Sequence, residues 1–348
     1  MRRITPLLVA ATAALLLAAR VSPAAAAGPG GYHIVHRWKI GGTGGWDILT
    51  LDEGANRLYF GRGDRMQVVD VGTGKLVGEL PGTAGIHAVA LAPDLGRGFT
   101  SNGRDSSVTI FDLKSLALIA RVQTQGQNPD MILYEPRSKR VFSFNGRSHD
   151  VTALDAATGT VVGALDLKGQ PEFAVCDGKG GIFVNLEDSS AVVRFDATSL
   201  AITARWPLAP GEGPTGIALD GAHHRLFSAC SNSKLIVSDS ESGRVVGEVS
   251  IGTGVDGAAF DAGTGLLFSP NGADSSLTVI HQDSPDRYRV VETVPTQRGA
   301  RTMALDTKTH HVYVAAAEYG AAPAATAENP RPRRPMIPDS FVILDLAR

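Results

Sequence analysis

Cysteine is nearly missing from this sequence, with two in 348 residues, and aromatic residues make up only 6%. Two thiols cannot supply the disulfide framework of a small stapled domain. Basic residues do not dominate either, since 33 Lys and Arg face 35 Asp and Glu, for a formal net charge of −2. That balance argues against a broad nucleic-acid footprint, which needs a basic face. Beyond residue 27 no apolar run approaches the roughly eighteen residues of a membrane-spanning helix. No Gly-x-Ser-x-Gly, His-Glu-x-x-His, phosphate loop or haem-attachment Cys pair occurs, so no local motif announces hydrolytic, zinc, nucleotide or haem chemistry.

What is present begins with a leader. Met1-Arg2-Arg3 is followed by an apolar run from Ile4 to Ala19, then Ser22-Pro23 and Ala24–Ala27. This is the pattern of a secretory signal peptide over 1–27, cleaved near Ala26 or Ala27, and the mature protein is expected to be periplasmic or secreted, and soluble. Losing Arg2, Arg3 and Arg20 makes the charge balance more acidic still.

The remainder repeats. Residues 129 to 170 hold four short apolar runs, Met131–Tyr134, Arg140–Phe144, Val151–Leu154 and Val161–Leu165, separated by Gly-, Asn-, Ser- and Asp-rich turns. Such runs read as a four-stranded antiparallel meander, too small to bury both faces alone. Leu51, Leu91, Tyr134, Cys176, Leu219, Phe260 and Leu305 mark the first strand of successive copies. Asp70, Asp112, Asp155, Asp196 and Asp239 close the third strands at intervals of 41 to 43 residues, with Asp345 in the last copy. They open turns such as Asp-Val-Gly-Thr-Gly, in which Asp accepts turn N–H bonds and Gly takes a positive φ. A period of 40–45 residues with four strands per unit predicts a β-propeller.

Seven copies fit, at 46–85, 87–128, 129–170, 171–213, 214–254, 255–299 and 300–348. The expectation is an all-β, single-domain, seven-bladed propeller over 32–348. Tyr32–Ile40 serves as the outer strand of the last blade, which otherwise ends on its third strand, Phe341–Leu346. Cys176 closes a first strand and Cys230 a second, on opposite faces about 13 Å apart along the strand alone. That exceeds the reach of a disulfide, so two separate buried thiols are expected.

With the repeats aligned, the chain resembles the exported YVTN-repeat (YncE-like) seven-bladed propeller family. The resemblance rests on the recurring second-strand aromatic and a Pro-rich insertion in the last repeat. It rests also on the pattern seen at Asp70…Thr73-Gly74-Lys75-Leu76-Val77, Asp155…Thr158-Gly159-Thr160-Val161-Val162 and Asp239…Ser242-Gly243-Arg244-Val245-Val246. Phe142-Ser143-Phe144-Asn145 stands nearest to the tetrapeptide that names the family. The resemblance implies binding and interaction roles outside the cytoplasm without a shared catalytic motif. The chain is similar, more distantly, to lactonase-type propellers.

Chemistry can gather where the innermost strands open. Four residues before each first-strand marker stand Asp47, His87, Asp130, Glu172, Thr215, Asp256 and Arg301. The second strands return to that face near Arg62, Asn102, Asn145, Asn185, Cys230 and Asn271, predicting an acidic ring with an amide-rich surround. Converging oxygen ligands suit Ca²⁺ or Mg²⁺, with Asp47, Glu172 and Asp256 as candidate ligands. Clustered carboxylates also raise one another's pKa, which a general base can use. His223-His224 and His310-His311 fall in turns of the opposite face and read as surface residues.

An insertion at 319–340 lies between strands two and three of the last blade. Pro323, Pro330, Pro332, Pro335 and Pro338 keep it extended and unable to pair as a strand. Arg331, Arg333 and Arg334 make it a candidate lid over the acidic mouth, or an arm that docks a partner. The expected function is that of a monomeric binding or scaffold protein for a small molecule, a glycan or a protein. The alternative is a metal-assisted, lactonase-type hydrolase using the mouth carboxylates.

Overall fold

Turn chemistry cuts this chain into short strands. Asp70 Oδ1 accepts from the N–H and the hydroxyl of Thr73 at 2.9 and 2.7 Å. Asp112, Asp155, Asp196 and Asp239 repeat the bond with Ser115, Thr158, Ser199 and Ser242. The backbone N–H groups of Ser115, Thr158 and Ser199 hold the carboxyls of Asp112, Asp155 and Asp196 below the usual range. Gly74 and Gly243 follow with φ of 67° and 72°. A Cβ there would lie 2.2 Å from Trp38 Cδ1 and 1.9 Å from Trp206 Cγ, so glycine is required twice over.

The computed structural model describes Met1 and residues 31–326, 332 and 334–348. The expected signal peptide, apart from Met1, lies outside the described residues, as do Arg331 and Arg333. The strands form seven four-stranded antiparallel sheets, arranged as a seven-bladed β-propeller. Blade three runs Pro129–Glu135, Arg140–Asn145, Asp150–Asp155 and Val161–Asp166. Blade seven takes Met303–Leu305, Val312–Ala316 and Val342–Ala347 from the end of the chain and His33–Lys39 from its beginning. His33 pairs with Ala347 and Lys39 with Val342, so the ring is closed by the N-terminal strand as expected. Tyr32 anchors that strand. Its N–H donates to Glu292 at 2.7 Å, its hydroxyl donates to the His310 carbonyl at 2.9 Å, and its ring meets Phe268 edge-on.

The core lies between blades. Tyr59, Phe99, Phe142, Phe183, Phe227, Phe268 and Tyr313, the second-strand aromatics, are all buried. Seven apolar clusters among the described residues each join neighbouring blades. Phe268 and Leu344 meet where blade six adjoins seven, and Phe60 meets Phe341 and Ile343 where seven adjoins one. Each buried aromatic contributes about 1.5–3 kcal/mol relative to exposure, and none is satisfied inside its own blade.

Two expectations need correction. Both cysteines are free thiols, but Cys176 is only partly buried while Cys230 is fully so, and burial pushes them up to about 11 and about 12. His310 and His311 are not simply surface residues. They are half-buried, with His310 Nδ1 2.7 Å from buried Asp261 of blade six and His311 Nδ1 2.6 Å from buried Asp345 of its own blade. His223 and His224 do remain exposed.

Candidate functional site

The seven residues that open the innermost strands share one end of the channel because every blade begins in the same register. Their backbones are stitched across blades. The His87 carbonyl accepts from Ile48 N–H at 3.1 Å, the Asp47 carbonyl from Thr302 Oγ1 at 2.7 Å, and the Arg301 carbonyl from Asp256 N–H at 3.2 Å. The Asp130 carbonyl accepts from Ser101, and the Thr215 carbonyl from Asn185 Nδ2 at 3.0 Å. The ring is therefore preorganised before any ligand arrives.

Round the ring, cations alternate unevenly with acids. His87 Nδ1 lies 2.8 Å from Asp47 and 3.3 Å from Asp130, bridging its two neighbours. Arg301 does the same from blade seven, with Nε 2.7 Å from Asp256 and Nη2 3.4 Å from Asp47. Among the described residues, Glu172 has no such partner. Gln170 Nε2 donates to it at 3.2 Å and to Glu187 at 2.8 Å. Asp47, Asp130, Glu172, Glu187, Thr215 and Asp256 line an opening of about 250 Å³. Thr215 is nearly buried and donates to the Val255 carbonyl at 3.3 Å.

Protonation follows this layout. Burial pushes Asp130 up to about 6, against the pull of His87 and with Asp47 adding to the rise. Burial takes Asp256 to about 7, with Asp47 raising it further and Arg301 opposing. Glu172 reaches about 9 through burial, then the charges of Asp130, Asp256 and Glu187. Burial alone would lower His87, but its hydrogen bond to Asp47 and the charges of Asp130 and Asp47 outweigh that and raise it. At neutral pH, Glu172 is thus a neutral acid beside a cluster whose cations sit on the other side.

The amide surround is corrected. Asn102, Asn145 and Asn271 are fully buried and do not face the opening. Asn102 accepts from Thr100 at 2.8 Å and donates to Ser107 and Thr109 at 3.0 and 2.8 Å. Asn145 and Asn271 repeat the arrangement, which locks the second strand to the third within one blade. Arg62 takes the same place in blade one. It is fully buried, gives Nη1 to the Gly44 carbonyl at 2.6 Å and Nη2 to the Gly41 carbonyl at 2.8 Å, and lies 3.9 Å over the Phe341 ring. Burial lowers it to about 10.

The metal set also differs from Asp47, Glu172 and Asp256. Among the described residues, the group whose ligand atoms lie within 4.8 Å of one another is Asp47, His87 and Asp130. Asp256 is paired with Arg301, and Glu172, raised to about 9, lies outside this group.

Glu187 was not foreseen, although the sequence carries a sign of it. Asn-Gly-Arg follows the second strand in blades two and three, whereas blade four has Asn185-Leu186-Glu187. Tyr319 was missed as well. It stands at the foot of the insertion beside Trp46, ring centroids 6.3 Å apart, with the Arg301 and Arg62 charges near its hydroxyl. At that foot an isolated antiparallel bridge joins Tyr319 to Met336, without forming a strand. Gly320 N–H donates to the Pro335 carbonyl at 2.9 Å and Ile337 N–H to the Glu318 carbonyl at 2.8 Å. Proline lacks a donor, yet its carbonyl still accepts. Arg334 lines a cavity with Gln297, Arg298 and Tyr319 whose walls include none of the ring carboxyls.

No family model and no curated protein matches the sequence. Among solved structures, the WD40 repeats of RRP9 align with TM-score 0.74 at 10% identity, over 91% of this chain and 97% of that one. A chain of the mitotic checkpoint complex gives 0.74 at 12%, over 96% and 99%, and U3-55K gives 0.72 at 10%, over 90% and 98%. The likeness is one of fold. Among the described residues, no helix is long and apolar enough to cross a membrane.

Proposed function

We propose that this propeller is an exported binding protein of the YVTN-repeat kind, and that its channel mouth takes a small ligand carrying a positive charge. The observation that supports this is the uneven neutralisation of the ring. His87 and Arg301 cover Asp47 and its neighbours, while Glu172 is left holding a proton at about 9 beside an opening of about 250 Å³. A cationic group placed against Glu172, Glu187 and Asp130 replaces that proton and gains charge-assisted hydrogen bonds in a site short of bulk water. Binding is then coupled to proton release and tightens as pH rises from about 6 to 9.

The test is calorimetric titration of spermidine and of Ca²⁺ at pH 6 and pH 8.5, repeated in buffers of different ionisation heat. Tighter binding at pH 8.5, with proton release that Glu172→Gln removes, is the expected outcome. Absence of binding by both probes at both pH values would refute the cationic ligand. A second reading, lactonase-type hydrolysis assisted by a metal, draws support from Asp130, whose carboxyl at about 6 suits a general base near neutrality. It requires turnover of a lactone or ester panel that Asp130→Asn abolishes.

A further inference from the structure

The side of blade seven carries a second site of opposite sign. A cavity of about 430 Å³ is lined by Gln297, Arg298, Ala317, Glu318, Tyr319, Arg334 and Ile337. A neighbouring one of about 420 Å³ shares Gln297, Glu318 and Ile337, and adds Arg37, Lys39, Pro338, Asp339 and Val342. Shared walls make the two a continuous groove along the paired foot of the insertion, bounded by the N-terminal strand.

Its charge is anomalous for this chain. Arg37, Lys39, Arg298 and Arg334 face the groove in a protein whose net charge is −2. Among the described residues, no carboxylate lies within 4.0 Å of any of these four cationic groups, although most of the charged groups of the ring are paired. Arg37 is steered only by a neutral acceptor, Gln297 Oε1 at 2.5 Å. Two acids, Glu318 and Asp339, also lie on the walls, and Asp339 accepts from Gly42 N–H at 2.8 Å, so four cations face two carboxylates. Between the cations lie Tyr319, Ile337 and Val342, two of which are among the exposed large apolar side chains.

We propose that this groove binds an acidic, extended peptide segment of a partner protein. Length favours a peptide over a single small anion, because the cations are spread over two adjoining cavities with apolar surface between them. Acidic residues of such a segment would meet Arg298 and Arg334 at one end and Arg37 and Lys39 at the other, with apolar residues on Tyr319 and Ile337 in between. Each exposed pair contributes little alone and is screened by salt. The groove's selectivity therefore comes from several cations acting together on one chain. None of the mouth carboxyls lines this groove, and the proposal does not rest on the cationic ligand proposed for the mouth.

The experiment uses the full chain and fluorescence anisotropy of a labelled peptide, Glu-Leu-Glu-Glu-Leu-Glu, with Lys-Leu-Lys-Lys-Leu-Lys as its opposite. The acidic peptide is expected to bind and to weaken as NaCl rises from 50 to 300 mM, and the basic one not to bind here. The double reversal Arg298→Glu with Arg334→Glu should weaken binding at least tenfold. Lys75→Glu with Lys114→Glu makes the same change in net charge at exposed positions elsewhere and should weaken it less than twofold. Equal losses in the two double variants would reduce the effect to net charge and overturn the proposal. So would displacement of the acidic peptide by inorganic phosphate at concentrations that leave ionic strength unchanged.

Discussion

Replacing Glu172 by Gln tests the electrostatics of the channel mouth most directly. The ordinary Glu value is 4.5, and the folded protein holds this carboxyl at about 9. Folding therefore takes up a proton between these two values. The stabilisation is fully present below the unfolded value and is lost progressively as pH rises through the folded one. One bound proton corresponds to about 1.4 kcal/mol per pH unit, so between pH 5 and 8 the upper bound is about 4 kcal/mol. Water in the channel screens part of this, and about 2–4 kcal/mol is the expected range. Gln retains the shape, keeps an acceptor for Gln170 and donates as the protonated acid did, but it cannot ionise. At pH 5 parent and variant should melt within a degree or so of each other. At pH 8 the variant should melt higher by about 3–6 °C, allowing about 1.5 °C per kcal/mol in a chain of this size. Differential scanning calorimetry from pH 5 to 9 measures the gap. Parallel curves for the two proteins would show that Glu172 titrates normally and would remove the basis of the proposed proton–ligand exchange.

Other perturbations probe the frame. A chain starting at Gly45 loses the strand paired to Val342–Ala347 and is predicted to lose the cooperative transition entirely; calorimetric melting like that of the intact chain would refute closure. Arg62→Ala leaves the Gly41 and Gly44 carbonyls without their donors and should cost about 3 kcal/mol in denaturant unfolding, since buried unpaired groups are each worth about 1–3. Asn145→Ala breaks the buried lock of blade three and should cost about 2 kcal/mol without altering any binding at the mouth, which titration of the variant with spermidine would check.

The fold was legible because its signal is repeated. The second-strand aromatic and the Asp-opened turn each recur about every 42 residues, and each has a local physical cause that survives in the structure. The ring residues were legible for the same reason, as one register position read seven times. What the repeat could not convey was direction. Asn102 and Asp130 both sit at blade ends on one face, yet one is saturated within its blade and the other faces the channel. Nor could register predict which cation would reach which acid. Arg301 meets Asp47 only because blade seven is followed by blade one around a closed ring. The departures from the repeat, Glu187 in blade four and Tyr319 in the insertion, lie where alignment by likeness has least to say.

The pairing of His33–Lys39 with Val342–Ala347 also sets an order of events in the life of the chain. The strand made first cannot find its partner until the strand made last exists. During synthesis the growing chain stays open-ended, with one edge of each newest blade exposed to whatever is nearby. The ring has no way to close before Val342–Ala347 has been made. The same delay leaves His33–Lys39 as an unsatisfied edge throughout translation, and a holding partner for that one segment would protect the whole molecule.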